Sequence, residues 1–134
     1  MNDSEVSKRV YILDGNNFST LEEFWEEIGY LLMAVRNAHW GRNLDAFHDI
    51  LCGGWGTPDE GFILAWKNSA LSRERLGYAE TIRQLEKRLQ VCHPTARDIT
   101  KSQIELAKRN KDATVFDWLV EIILEEESVE LRLE

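Results

Sequence analysis

The sequence predicts an α/β protein, a small parallel sheet flanked by helices, and three observations carry that prediction. Two short runs, Arg9–Leu13 and Phe62–Trp66, are nearly continuous in apolar, β-branched and aromatic residues. Strands of a parallel sheet, buried on both faces, have that habit. Around them lie long stretches with apolar residues at helical spacing. The chain then closes on Val129–Leu133, which alternates apolar and polar as an outer or half-buried strand does. Strands separated by helices imply right-handed crossovers and parallel pairing.

Each element follows from local chemistry. Arg9–Leu13 is read as a strand with both faces covered, and Asp14-Gly15-Asn16-Asn17 supplies the turn after it. Ser19-Thr20-Leu21-Glu22 reads as a capping box that opens a helix. Phe24, Ile28, Leu31, Leu32 and Val35 form its apolar stripe, with Glu22, Glu23, Glu26 and Glu27 in its early turns. After a loop, Asn43 is the expected N-cap of a short helix that runs to about Leu51 and stops at Gly53-Gly54. A turn-rich stretch, Gly56 to Gly61, precedes the second strand. From Ser69 to about Asn110 the pattern is helical: Tyr78, Ile82, Leu85 and Leu89 make one stripe, Pro94 interrupts, and Ile99 to Arg109 resumes. Thr114 is the expected cap of a last helix with Phe116, Leu119, Val120 and Ile123 on one face, closed by Glu125-Glu126-Glu127-Ser128. No repeat or low-complexity linker divides residues 1–134, so one domain is expected.

Composition bounds the function. With 134 residues, 43% hydrophobic and 30% charged, the chain is of ordinary globular kind. No apolar run approaches the ~20 residues of a membrane-spanning helix, and the first ten residues hold no signal-peptide core. A cytoplasmic protein without membrane attachment is therefore expected, with Cys52 and Cys92 as reduced thiols. The net charge of −8 argues against direct nucleic-acid binding, which selects for Lys and Arg. It permits electrostatic steering toward a basic protein.

The stretch His39 to Trp55 is the most informative. On a helix, Leu44, Phe47 and Leu51 share the core face, while Asp45 and Asp49 stand one turn apart on a neighbouring face. Like charges at that spacing cost about 0.2–0.5 kcal/mol, and Asp49 also approaches the C-terminal end of the helix dipole. No Lys or Arg within the helix offsets them. Trp40-Gly41 before the helix and Gly53-Gly54-Trp55 after it add aromatics, which are typical of recognition surfaces. Trp40 and Trp55 serve equally well as packing for the helix, and from the residues alone the two roles stand even.

The run Trp40-Gly41-Arg42-Asn43-Leu44-Asp45-Ala46-Phe47, followed by Asp49, resembles the signature of the barstar family of ribonuclease inhibitors. The layout of Arg9 to about Leu71 and of Phe116 to Glu134 is similar to that family as well. The resemblance implies a three-stranded parallel sheet flanked by helices, with the helical stretch at about 78–110 as an elaboration. It implies a protein that is not an enzyme, has no catalytic residues, cofactor or metal, and blocks a basic guanyl-type ribonuclease or related nuclease toxin in a one-to-one complex. Asp49 would take the place of a substrate phosphate, and Asp45 would meet basic groups around the guanine and phosphate sites. His39 and His48 stand where the family commonly has aromatics. Trp40, Arg42, Asn43, Gly53 and Trp55 complete the implied contact set, and a carboxylate among Glu125, Glu126 and Glu127 extends the acidic face.

Other chemistries compete. His48 and Cys52, four apart with His39 and Asp49 near, invite a metal site. Without a CxxC or HExxH pattern the sequence favours a core cysteine and a surface histidine. A thiol nucleophile assisted by a histidine lacks any recognisable oxyanion hole. Arg83, Lys87, Arg88, Lys108 and Arg109 are scattered among acids and read as ordinary helix surface, and His93-Pro94 as a helix stop. The alternative to nuclease inhibition is a barstar-like binding or regulatory module for a non-nuclease protein.

Overall fold

A computed structural model describes residues 8–33, 40–53 and 56–134. Three strands, β1 (Arg9–Asp14), β2 (Phe62–Lys67) and β3 (Val129–Leu133), form one parallel sheet in the order β1-β2-β3. Six α-helices accompany them among the described residues: α1 (Leu21–Leu32), α2 (Leu44–Cys52), α3 (Ser69–Arg75), α4 (Tyr78–Val91), α5 (Arg97–Lys108) and α6 (Val115–Glu125). The α/β class and the parallel sheet expected from the sequence are both present.

Register puts Tyr11 beside Leu64 and Leu13 beside Trp66. These side chains are buried on one sheet face with Phe24, Ile28, Phe47, Ile50, Leu51, Phe116, Leu119 and Ile123 from α1, α2 and α6. Ring contacts knit the layers together. Phe24 stacks on Trp66 at 5.6 Å and meets Phe47 edge-on at 5.5 Å, so α2 is tied to the sheet through α1.

The opposite sheet face corrects the expectation that β1 is covered on both sides. Val10 is 49% and Ile12 56% exposed. β1 is an edge strand whose outward residues no helix covers among the described residues, whereas in central β2 only Ile63 and Lys67 are not fully buried. A continuous apolar run does not distinguish these two environments.

The cap of α1 is displaced by one residue from the expected position. Thr20 is the N-cap and accepts from the Glu23 N–H at 3.1 Å, while Glu23 Oε1 accepts from the Ser19 N–H at 2.7 Å. Glu22 is thereby released to face α4. There it pairs with Lys87 at 2.5 Å and with Arg83, and accepts from Gln84 at 2.9 Å. Burial pushes the Glu22 carboxyl up, but these donors outweigh it and hold it at about 2. Arg83 and Lys87, read from sequence as ordinary surface, instead fasten the α4–α5 hairpin to α1.

Glu80 completes that joint. It is 6% exposed, and its Oε2 accepts from the backbone N–H of Leu21 at 2.8 Å. That N–H is one of the donors a helix start leaves without an internal partner. Thr81 Oγ1 likewise accepts from Val115 N at 2.9 Å at the start of α6. A second, smaller apolar cluster of Leu85, Ile104 and Ala107 lies within the hairpin and meets the main core at Trp118.

Candidate functional site

The short helix α2 is built outward from its caps. Asn43 accepts from Ala46 N at 2.8 Å through Oδ1 and donates to the Gly41 carbonyl at 3.3 Å through Nδ2. It is the N-cap the sequence indicated. Just before it, exposed Arg42 has φ +50°, a left-handed conformation uncommon for a residue with a side chain. At the other end Gly53 has φ +107° and ψ 179°, a conformation open in practice only to glycine. Both ends of α2 are thus set by specific residues.

Phe47, Ile50 and Leu51 form the buried face of α2, and Leu44 is only half-buried. Trp40, expected among the contacts to a partner, is turned inward against α1 at 8% exposure. Its ring meets Trp25 edge-on at 5.6 Å. It also fills the notch over Gly29, where a Cβ would come within 2.9 Å of the indole nitrogen. The absence of a side chain at Gly29 is what lets the indole enter, so Trp40 acts as a prop rather than as exposed surface.

Asp45 and Asp49 project outward and are exposed. Among the described residues neither forms an ion pair. The α6 end adjoins this face. Glu126, the C-cap of α6, accepts from the Cys52 thiol at 3.0 Å through Oε2. Its Oε1 accepts from the Ser128 hydroxyl at 3.1 Å. The Cys52 bond first, then the Ser128 bonds, hold the Glu126 carboxyl below its usual range. The same bond, with burial and the charges of Glu126 and Asp49, pushes the Cys52 thiol up to about 11. Glu125 and Glu127 are exposed, and of this acidic run Glu126 is the residue that bonds to α2 among the described residues.

Cys52 corrects a further expectation. It is exposed rather than part of the core, because Phe47, Ile50 and Leu51 already occupy the inward face and the next position rotates past it. Half-buried His48 lies one turn earlier, its Nδ1 3.8 Å from the thiol sulfur. His39 and Trp55 lie outside the described residues.

Sequence reasoning missed a cleft of about 540 Å³ at the start of α2. Trp25, Arg42, Asp45, Lys87, Arg88 and Trp118 line it. The Arg88 guanidinium sits over the Trp118 ring, 5.6 Å from its centre. These residues come from four separate parts of the chain, and only their charge and aromatic character were visible beforehand.

Comparison with known families and proteins gives one result of weight. The family model described as Barstar (barnase inhibitor) matches residues 8–116, a span that runs through both α2 and the α4–α5 hairpin. No curated protein matches the chain.

Proposed function

The chain belongs to the barstar family, and from that premise we propose that it inhibits a basic guanyl-type ribonuclease or related nuclease toxin by occupying the active site with α2. The observation that carries the proposal is Asp45 and Asp49, exposed and without an ion pair among the described residues, on a helix whose two ends and buried face are all fixed. Carboxylates held in place but not neutralised retain their hydration and charge for a partner. Asp49 is assigned the place of a substrate phosphate, where guanidinium groups make short, charge-assisted hydrogen bonds. Asp45 meets neighbouring cations. Arg42, Asn43, His48, Gly53 and the end of α6, with Glu125 and Glu126, border the contact, and His39 and Trp55 are included through the family resemblance. The net charge of −8 favours rapid encounter with a basic enzyme. The inhibitor acts in the cytoplasm as a monomer in a one-to-one complex.

Calorimetric titration against a panel of guanyl-type ribonucleases, at low and moderate salt, tests this proposal. Tight one-to-one binding that weakens with salt is expected. Asp49→Ala leaves the enzyme's cations buried without a partner, a loss of about 3–5 kcal/mol, or a hundredfold or more in affinity. Binding indifferent to Asp49→Ala, in a variant with an unchanged far-ultraviolet spectrum, excludes the phosphate-mimic role.

A further inference from the structure

We propose that His48, Cys52 and Glu126 form a binding site for a divalent transition-metal ion of the zinc class. Their ligand atoms, an imidazole nitrogen, the thiol sulfur and a carboxylate oxygen, all lie within 4.8 Å of one another. A tetrahedral zinc ion with bonds of about 2.0–2.3 Å separates such atoms by roughly 3.3–3.6 Å. The sulfur already stands 3.8 Å from His48 Nδ1 and 3.0 Å from Glu126 Oε2. Closing on an ion therefore asks only for side-chain adjustment, with no change of backbone.

Two features make this a prepared constellation rather than a chance meeting of polar groups. His48 and Cys52 are one turn apart on a capped helix, so their relative position is fixed by helix geometry. Glu126 comes from a separate element and is oriented by Ser128, whose hydroxyl and N–H both donate to Oε1, at 3.1 and 3.4 Å. That leaves Oε2 directed at the sulfur, as an outer hydrogen bond orients a metal-ligating carboxylate. The donor set of nitrogen, sulfur and oxygen suits zinc, cobalt or nickel and disfavours calcium or magnesium, which take oxygen. On binding, the thiol releases its proton to solvent and the thiolate becomes the ligand. The partial exposure of all three residues leaves room for a fourth ligand from water.

The test uses the untagged, reduced full chain and no nuclease, so its outcome is separate from that of the inhibition proposal. Titration with Co²⁺ should give one equivalent bound, with a thiolate-to-cobalt charge-transfer band that Zn²⁺ abolishes by displacement. Cys52→Ser should remove the band, and His48→Gln and Glu126→Gln should each weaken binding at least tenfold. Cys92→Ser, which alters the other thiol beside His93, should leave the titration unchanged. A titration without the charge-transfer band, one insensitive to all three ligand variants, or one lost in Cys92→Ser overturns the assignment. Should Cys52→Ser fail to fold, the His48 and Glu126 variants decide by the same titration.

Discussion

The buried Glu80 carboxylate offers the clearest quantitative test of how the α4–α5 hairpin is held to the rest of the molecule. Replacing it with Ala strands the Leu21 N–H in a buried position, which costs about 1–3 kcal/mol. It also removes a negative charge from the start of α1, a loss of up to ~1 kcal/mol. Together these give about 3 kcal/mol. An unfolding entropy of ~2.1 cal/mol/K per residue over 134 residues converts that to a fall in Tm of about 10 °C. Glu80→Gln keeps an acceptor for the Leu21 N–H but not the charge, and about 1 kcal/mol is expected. Burial pushes the Glu80 carboxyl up, yet the hydrogen bonds from Arg83, Leu21 and Gln84 outweigh it and hold it below its ordinary value of 4.5. Its stabilising contribution is thus fully present above that value and is lost as the pH falls through the lower, folded-state value. The gap between wild type and Glu80→Gln should narrow in acid. Chemical denaturation followed by far-ultraviolet circular dichroism at neutral and acid pH measures both effects. An Ala variant within ~0.5 kcal/mol of wild type, the scatter of an ordinary surface substitution, refutes the clamp.

Two further outcomes concern the support of α2. Asn43→Ala removes the N-cap bond to Ala46 N and should lower stability by about 1 kcal/mol in denaturant titration. Trp40→Ala empties the space over Gly29 and beside Trp25, an expected loss of about 3–5 kcal/mol. An exposed contact residue would lose little stability under the same change, so thermal unfolding without any partner distinguishes prop from contact.

Much of this protein was determined by the sequence alone, wherever the physics is local. Asn43 and Thr114 announce their helices because a cap needs only the next three residues. The outward pairing of Asp45 with Asp49 follows from helix geometry, and the strands follow from short β-branched runs between turns. The family resemblance rests on the same continuous stretch around α2. Tertiary structure decided what depends on neighbours distant in the chain. Nothing in Arg9–Leu13 says that Val10 and Ile12 are left exposed on one face of β1, because coverage is a property of the packing and not of the strand. The local pattern suits a cap at Ser19 as well as at Thr20, and the observed choice frees Glu22 to pair with α4. A lone aromatic in a loop has no periodicity, so the inward turn of Trp40 depends on the notch at Gly29. Glu126 meets Cys52 only after α6 packs beside α2, across 74 positions of sequence. Short-range hydrogen bonding and side-chain period are written in consecutive residues, whereas burial and the company a charge keeps are fixed only when the chain closes on itself.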